Sequence, residues 1–122
     1  MTCPFCNMPE DRIITADDLV YCIRDKYPVS PGHILIITRR HAPDFFELTD
    51  DERRAMQAML IKMKRMLDAE LNPQGYNVGI NVGRSAGQTI DHAHLHLIPR
   101  FGGDMPDPKG GVRGVIPEKQ KY

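Results

Sequence analysis

Three histidines alternate with apolar residues near the end of the chain. His92, His94 and His96 are separated by Ala93 and Leu95, in the run HAHLHLIP. Side chains of a β-strand alternate between its faces, so this spacing predicts three imidazoles on one face and an apolar face toward a core. Histidine acts near neutral pH as a base, a nucleophile or a metal ligand. The pattern therefore predicts a chemical site.

Three chemistries fit these imidazoles: a metal site, acid–base catalysis, and attack by a neutral ring nitrogen. A metal-dependent hydrolase usually needs a further ligand, and Asp91 would point to the opposite face of the strand. Nucleophilic attack on phosphorus also needs donors for phosphate oxygens. Ser85, Gly87, Gln88 and Thr89 precede the histidines, and their backbone N–H groups and side chains predict an anion-binding turn.

A pair of cysteines, Cys3 and Cys6, stands near the start of the chain. On its own this C-x-x-C spacing fits a redox pair, half a zinc site or two unrelated thiols. It comes before any predicted strand, which disfavours a thioredoxin-like motif. A structural zinc needs four ligands. Cys22 lies in an apolar run and is predicted to be a core residue, so further ligands would be histidines.

The elements that must position these residues are short strands and one helix. β-Formers and apolar runs predict strands at residues 19–24, 33–38, 75–82 and 92–99. A helix is predicted over residues 50–71, with Thr49 and Glu52 as a capping box. An apolar stripe follows the helix, favouring core packing over a partner-binding groove; its members are Met56, Met59, Leu60, Met63 and Leu67. The fold class is α+β, a mainly antiparallel sheet with one long helix packed on it. Residues 1–100 would form the domain and 101–122 a C-terminal arm.

Composition excludes several functions. The chain has 122 residues, and 16 basic residues balance 16 acidic ones, which disfavours a nucleic-acid partner. No apolar run approaches the length of a membrane span. Three cysteines are too few for a disulfide framework. With no charged-then-apolar leader, we expect a cytoplasmic protein without a membrane partner.

Two motifs carry a resemblance to a known family. The run GQTIDHAHLHLIPR at residues 87–100 resembles the signature of the histidine triad (HIT) nucleotidyl hydrolases and transferases. The run PGHILII at residues 31–37 resembles the family's other strand motif, and the similarity covers residues 3–100. The resemblance implies a HIT-like fold and a homodimer with the helix and a sheet edge at its interface.

The resemblance also implies a reaction. His94 would attack the α-phosphorus of a purine nucleotide, His96 would bind a phosphate oxygen, and water would release a nucleoside monophosphate. Asp25 matches the ribose-binding position, although an acidic loop residue is as often a solvated charge. The substrate-binding positions would be Asp25, His33, Asn81, Gln88 and Thr89. The base would contact apolar side chains from among Phe5, Ile23 and Leu35.

A subset of the family carries an N-terminal C-x-x-C and binds zinc. By that resemblance a structural zinc would be held by Cys3, Cys6, His41 and His92, with no catalytic metal. Dinucleoside polyphosphates are favoured as substrates over adenosine phosphoramidates. Arg113 of the tail could reach a polyphosphate, since a guanidinium matches phosphate geometry, although a surface arginine without a ligand fits the sequence as well. Two other functions fit the residues: a metal-dependent hydrolase using the three histidines as ligands, and a nucleotide-binding module without turnover.

Overall fold

A five-stranded antiparallel sheet with one helix on it makes up the protein, as described by a computed structural model for residues 3–122. The sheet order is β1-β2-β3-β5-β4, and each neighbouring pair is antiparallel. This confirms the predicted α+β class. The elements are β1 (Ile13–Ala16), β2 (Val20–Arg24), β3 (Ile34–Thr38), α1 (Asp50–Leu71), β4 (Gly75–Gly79) and β5 (His94–Arg100).

The helix α1 begins and ends where the sequence predicts. The Thr49 hydroxyl accepts from the Glu52 N–H at 3.1 Å, and the Glu52 carboxylate accepts from the Thr49 N–H at 2.9 Å. This reciprocal capping box satisfies two N–H groups that a helix start leaves unpaired. Asn72 ends the helix in the left-handed region, with φ at 47°, and Pro73 follows it.

The apolar stripe of α1 is core. Met56, Met59, Met63 and Leu67 are buried against the sheet, and Leu60 packs beside them partly buried. Full burial of one such side chain contributes about 1.5–3 kcal/mol. The apolar stripe therefore packs in the core of the domain, as predicted.

The opposite face of the sheet carries the histidines. His94 pairs with Ile37 and His96 with Leu35 across the β3–β5 ladder. These positions share a face with a second buried cluster that includes Phe5 and Ile23. The chemical groups thus lie on an apolar floor that the helix does not cover.

Several predicted strand bounds are wrong. A strand at Ile13–Ala16 was not predicted, although its β-branched residues and the following acidic turn carry the signal. β4 ends at Gly79 instead of residue 82. β5 begins at His94, so His92 is not on the strand. The chain bends at residues 91–92. The fully buried His92 side chain there lies beside Cys3, Cys6 and His41.

Residues 101–122 contain only turns and short 3₁₀ segments, at Gly111–Val115 and Pro117–Lys119. Arg113 donates to the Gln120 carbonyl at 3.3 Å and lies over the Tyr122 ring. It is therefore bound within the arm. Within residues 3–122, no helix has the length and apolar character that crossing a membrane requires.

Candidate active site

His94 is held by the backbone just before it. Its Nδ1–H donates to the carbonyl oxygen of His92 at 2.8 Å. This bond fixes the neutral tautomer, because the proton stays on Nδ1 and Nε2 keeps its lone pair. Phe5 supports the ring edge-on, with centroids 5.1 Å apart. The result is an oriented imidazole with one nitrogen free.

A hydrogen-bonded chain sets the protonation of His96. The Val29 N–H donates to His33 Nδ1 at 3.0 Å, so the neutral His33 ring carries its proton on Nε2. That Nε2–H faces His96 Nδ1 at 2.9 Å and donates to it. His96 must then carry its own proton on Nε2. The chain turns His96 into a hydrogen-bond donor.

Burial keeps both rings of this chain neutral. Desolvation lowers the pKa of His33, against the attraction of Asp25. Desolvation, with repulsion from His94 and His33, lowers the pKa of His96 to about 4. The Asp25 carboxylate lies 3.4 Å from His33 Nε2 and accepts from the Tyr27 N–H at 2.8 Å. Both imidazoles therefore stay uncharged at neutral pH.

A cavity of about 450 Å³ opens over these groups. Its floor is apolar and includes Phe5, Ile23 and Leu35, the three side chains expected around a base. Polar groups also line it; those predicted from the sequence are Asp25, Asn81, Thr89, His94 and His96. The volume lies in the range of small-molecule sites.

The glycine-bearing turn is organised differently from the prediction. The N–H groups of Gly87 and Gln88 donate to Arg84 and Gly83 carbonyls within the turn. The predicted anion nest is therefore wrong for these two amides. The Gln88 side chain is buried; it accepts from the Gly83 N–H and donates to the carbonyls of Pro43 and Ile90. Gln88 thus braces the turn from beneath.

Cys3, Cys6, His41 and His92 come together at the edge of the site. Each offers a donor atom, and the four lie within 4.8 Å of one another. His92 Nδ1 is 3.3 Å from Cys3 Sγ, 3.6 Å from Cys6 Sγ and 3.3 Å from His41 Nδ1. Tetrahedral zinc with its usual bond lengths separates such donors by about 3.3–3.6 Å. The residues therefore fit a zinc ion.

The orientation of His92 matches that fit. Its Nε2–H donates to the Thr38 carbonyl oxygen at 2.6 Å, which leaves Nδ1 as a lone-pair donor toward the thiols. Metal-binding histidines commonly donate their other N–H in this way. Burial also lowers the pKa of His92, which favours the neutral ligand form.

The cysteine–histidine cluster also adjoins His94. The His92 carbonyl orients His94, and Phe5, which lies between the two cysteines, packs on the rings of both histidines. The buried Tyr21 hydroxyl donates to the Phe5 carbonyl and anchors this segment. Holding the cluster together therefore holds the wall of the cavity.

An ion pair between the half-exposed Arg40 and the buried Glu52 supports His41. Its neighbour Arg40 donates to both carboxylate oxygens of Glu52, the shortest contact being 2.8 Å. Glu52 is 3% exposed, and the Arg40 hydrogen bonds lower the pKa of its carboxyl group. The first turn of the helix thus fixes the segment that carries His41.

The sequence did not reveal several residues around the site. Arg12, Lys26 and Tyr27 also line the first cavity; nothing in their spacing distinguishes them from solvated residues. A second cavity of about 510 Å³ shares Asp25, Tyr27, Asn81 and His96 with the first. Its far wall is formed by residues of the C-terminal arm for which the sequence predicts no role: Gly111, Val112, Gly114 and Val115.

Comparison with known proteins identifies the family. A model of the HIT domain matches residues 8–103. An AP-4-A phosphorylase of Mycobacterium tuberculosis is 36% identical over 107 residues, covering 83% of this chain and 55% of the relative. This chain therefore spans about half the length of that relative. A bifunctional bis(5'-adenosyl)-triphosphatase/adenylylsulfatase FHIT of Arabidopsis thaliana is 32% identical, covering 90% of this chain and 61% of the relative.

Solved structures agree with this result. A HIT-family protein of Bacillus subtilis is 29% identical, with a TM-score of 0.79, and the match covers 98% of this chain and 89% of that one. A hypothetical histidine triad nucleotide-binding protein of Sulfolobus tokodaii is 33% identical, with a TM-score of 0.78, covering 86% and 73%. With the HIT model spanning most of its length and the imidazole pattern in place, the chain belongs to the histidine triad family.

Proposed function

We propose that the protein is a nucleotidyl hydrolase that cleaves a purine nucleotide at its α-phosphorus through a covalent intermediate on His94. The observation that carries this proposal is the ring's Nδ1–H bond to the His92 carbonyl, with the ring in the wall of the first cavity. The named activities of the mycobacterial and plant relatives support a phosphoanhydride substrate. We favour a dinucleoside polyphosphate.

The first step forms one bond and breaks another. His94 Nε2 attacks the α-phosphorus, and the bond to the bridging oxygen breaks to release the distal phosphates with the remaining nucleoside. The imidazole ring becomes cationic when its Nε2 is nucleotidylated. The carbonyl oxygen of His92 stabilises that cation through the Nδ1–H bond. Water then attacks phosphorus, releasing nucleoside monophosphate, a proton and the neutral ring.

His96 serves the transition state as a donor. The chain from Val29 through His33 leaves its Nε2–H free to bind a phosphate oxygen. A donor fixed in advance stabilises the charge that builds on that oxygen, and one such donor contributes about 10²–10³-fold to kcat. Its low pKa keeps this role constant across neutral pH.

The remaining groups seat the nucleotide. The base packs on the apolar floor formed by Phe5, Ile23 and Leu35. Asp25 accepts hydrogen bonds from the ribose hydroxyls. Asn81 and Thr89 contact the substrate near the phosphate. His33 acts through His96, and Gln88 contributes by holding the turn in place.

Zinc is the metal that the donor set favours, since two thiolates and two imidazoles form a closed structural site. Cys3, Cys6, His41 and His92 would hold it, and it would supply stability without taking part in the reaction. Homodimerisation and a cytoplasmic location stay predictions from the sequence.

Trapping the intermediate tests the reaction. Wild-type and His94→Gly proteins are mixed with labelled diadenosine tetraphosphate and quenched in alkaline denaturant, because the nitrogen–phosphorus bond is acid-labile. We expect one nucleotidyl group on the wild type and none on the variant. Binding without product on the wild type would instead identify a nucleotide-binding module. Immediate loss of turnover on adding a chelator would identify a catalytic metal.

A second assay decides whether water or inorganic phosphate attacks the intermediate in the second step. Hydrolysis gives nucleoside monophosphate whether or not inorganic phosphate is present. A phosphorylase, the activity named for the mycobacterial relative, would give nucleoside diphosphate when phosphate is added. Product chromatography separates the two reactions.

Metal analysis tests the zinc site with a control inside the chain. We expect one zinc ion per chain in the purified wild type and loss of it in Cys3→Ser and Cys6→Ser. The buried Cys22 lies on β2 outside the cluster, so Cys22→Ala should retain the full zinc content. Equal loss in all three variants would contradict the assignment.

A further inference from the structure

The second cavity lies across His96 from the first. It shares Asp25, Tyr27, Asn81 and His96 with the first cavity, whereas His94 lines only the first. A nucleotide on the first cavity floor, attacked by His94, therefore leaves a second compartment adjoining the same phosphate-binding histidine. With a volume of about 510 Å³, this compartment is also in the range of a small-molecule site.

Exposed apolar side chains form much of the wall of the second cavity. Tyr27, Val29, Val78, Val112 and Val115 all line it. Each is among the large hydrophobic residues left exposed, with Tyr27 at 79% and Val115 at 77%. Exposed apolar side chains gathered around one concavity mark a binding surface more than scattered ones do.

The C-terminal arm closes this compartment. Gly111, Val112, Gly114 and Val115 come from its first 3₁₀ segment and face residues of β4 and β5. Arg113 points elsewhere, toward Tyr122 and the Gln120 carbonyl. The arm therefore offers the site a flat apolar surface and not a cation for phosphate.

From this arrangement we infer that the second cavity binds the nucleoside of the leaving group. The inference rests on the proposed function and deepens it, since it selects dinucleoside polyphosphates as the substrate class. The polyphosphate chain passes His96, and the second base packs between Tyr27 and the arm valines. When the bond at the α-phosphorus breaks, the product that carries this second nucleoside departs from the second cavity. An adenosine phosphoramidate, whose leaving group is ammonia, leaves this cavity unused.

A comparison of substrates tests the inference. The double variant Val112→Ala/Val115→Ala is assayed with diadenosine tetraphosphate, adenosine 5′-tetraphosphate and adenosine phosphoramidate. We expect kcat/KM for diadenosine tetraphosphate to fall about tenfold, from the methyl groups lost to a partly buried contact. The other two substrates should change less than twofold. Adenosine 5′-tetraphosphate isolates the second nucleoside, because it retains a four-phosphate chain.

The matched control is Ile116→Ala, on the same arm. Ile116 is 55% exposed and lies outside the wall of the second cavity, so all three substrates should keep their wild-type rates. Equal losses on every substrate in the valine variant would overturn the inference, because they would indicate a structural role or a subunit interface. Wild-type turnover of phosphoramidate but not of diadenosine tetraphosphate would also overturn it. Absence of turnover with all three substrates would refute the proposed function itself.

Discussion

Replacing His33 should weaken catalysis by removing the hydrogen bond that positions His96. His33 is 3% exposed and links the Val29 N–H to His96 through two hydrogen bonds of 3.0 and 2.9 Å. His33→Leu keeps an apolar volume but donates nothing. His33→Gln places a carboxamide N–H where the ring Nε2–H lies.

The magnitude follows from the two broken bonds. In His33→Leu the Val29 N–H and His96 Nδ1 lose their partner. A buried unpaired group costs about 1–3 kcal/mol, and a partly buried one such as the Val29 N–H costs less. We expect the free energy of unfolding to fall by about 2–4 kcal/mol. Without its fixed tautomer, His96 loses much of the value of one aimed donor, so kcat should fall about 10–100-fold. KM should change little, because the His33 ring is almost fully buried and is proposed to act through His96.

Two measurements separate positioning from folding. Steady-state kinetics gives kcat for the wild type, His33→Leu and His33→Gln, and the glutamine variant should recover most of the rate. Nitrogen-15 NMR of the imidazoles should report the Nε2–H tautomer of His96 in the wild type and its loss in His33→Leu. Urea unfolding measures the stability of each variant.

A double-mutant cycle can refute the reasoning. If His33 acts through His96, then His33→Leu should change kcat less than about twofold in a His96→Leu background. An equal loss of kcat in both backgrounds would show that His33 acts by another route. Failure of the glutamine variant to recover the rate, with its stability restored, would contradict the donor role.

Three further predictions follow from the structure. Because burial depresses the pKa of His33 and of His96, the latter to about 4, the unfolded chain binds more protons below pH 6.5. The free energy of unfolding should therefore fall as pH drops from 6.5 toward 4, by at most about 1.4 kcal/mol per pH unit for each ring; urea titrations should give a flatter profile in His96→Gln. Prolonged dialysis against a chelator should lower the melting temperature and slowly abolish turnover, while Cys3→Ser should be insensitive to the treatment; an unchanged wild-type melting curve would contradict a structural metal. Glu52→Gln should lose only about 0.5–1 kcal/mol of stability, because the Arg40 guanidinium is half exposed to water and the glutamine amide oxygen still accepts a hydrogen bond; calorimetry that finds no loss would contradict the support assigned to this ion pair.

Local signals in the sequence predict the helix and most of the strand that carries His94 and His96. The capping box at Thr49 and Glu52 and the stop at Asn72 depend on neighbouring residues, and the helix begins and ends as predicted. The alternation in β5 likewise predicts a shared face for His94 and His96. Continuing that alternation to His92 gave a wrong placement, because the chain bends before the strand and buries that ring.

Short-range patterns in the sequence do not predict contacts between residues that are far apart in the chain. Gln88 is a polar residue in a glycine-bearing turn, and its sequence context cannot reveal that its amide is bonded to Pro43. The tautomers of His33 and His96 depend on a backbone N–H that only folding brings to them. No periodicity in the arm indicates that Val112 and Val115 line a cavity.

The sequence by itself determined which side chains are available for chemistry, three thiols and five imidazoles, and predicted the helix and the strand that carries His94 and His96. Residue identity and short-range periodicity suffice for that, since they depend on side-chain type and on backbone geometry over a few residues. The tertiary structure alone decided which imidazole donates, which keeps a lone pair, and which two cavities meet at His96. Those properties arise from hydrogen bonds and burial between residues far apart in the chain, whose partners no local spacing specifies.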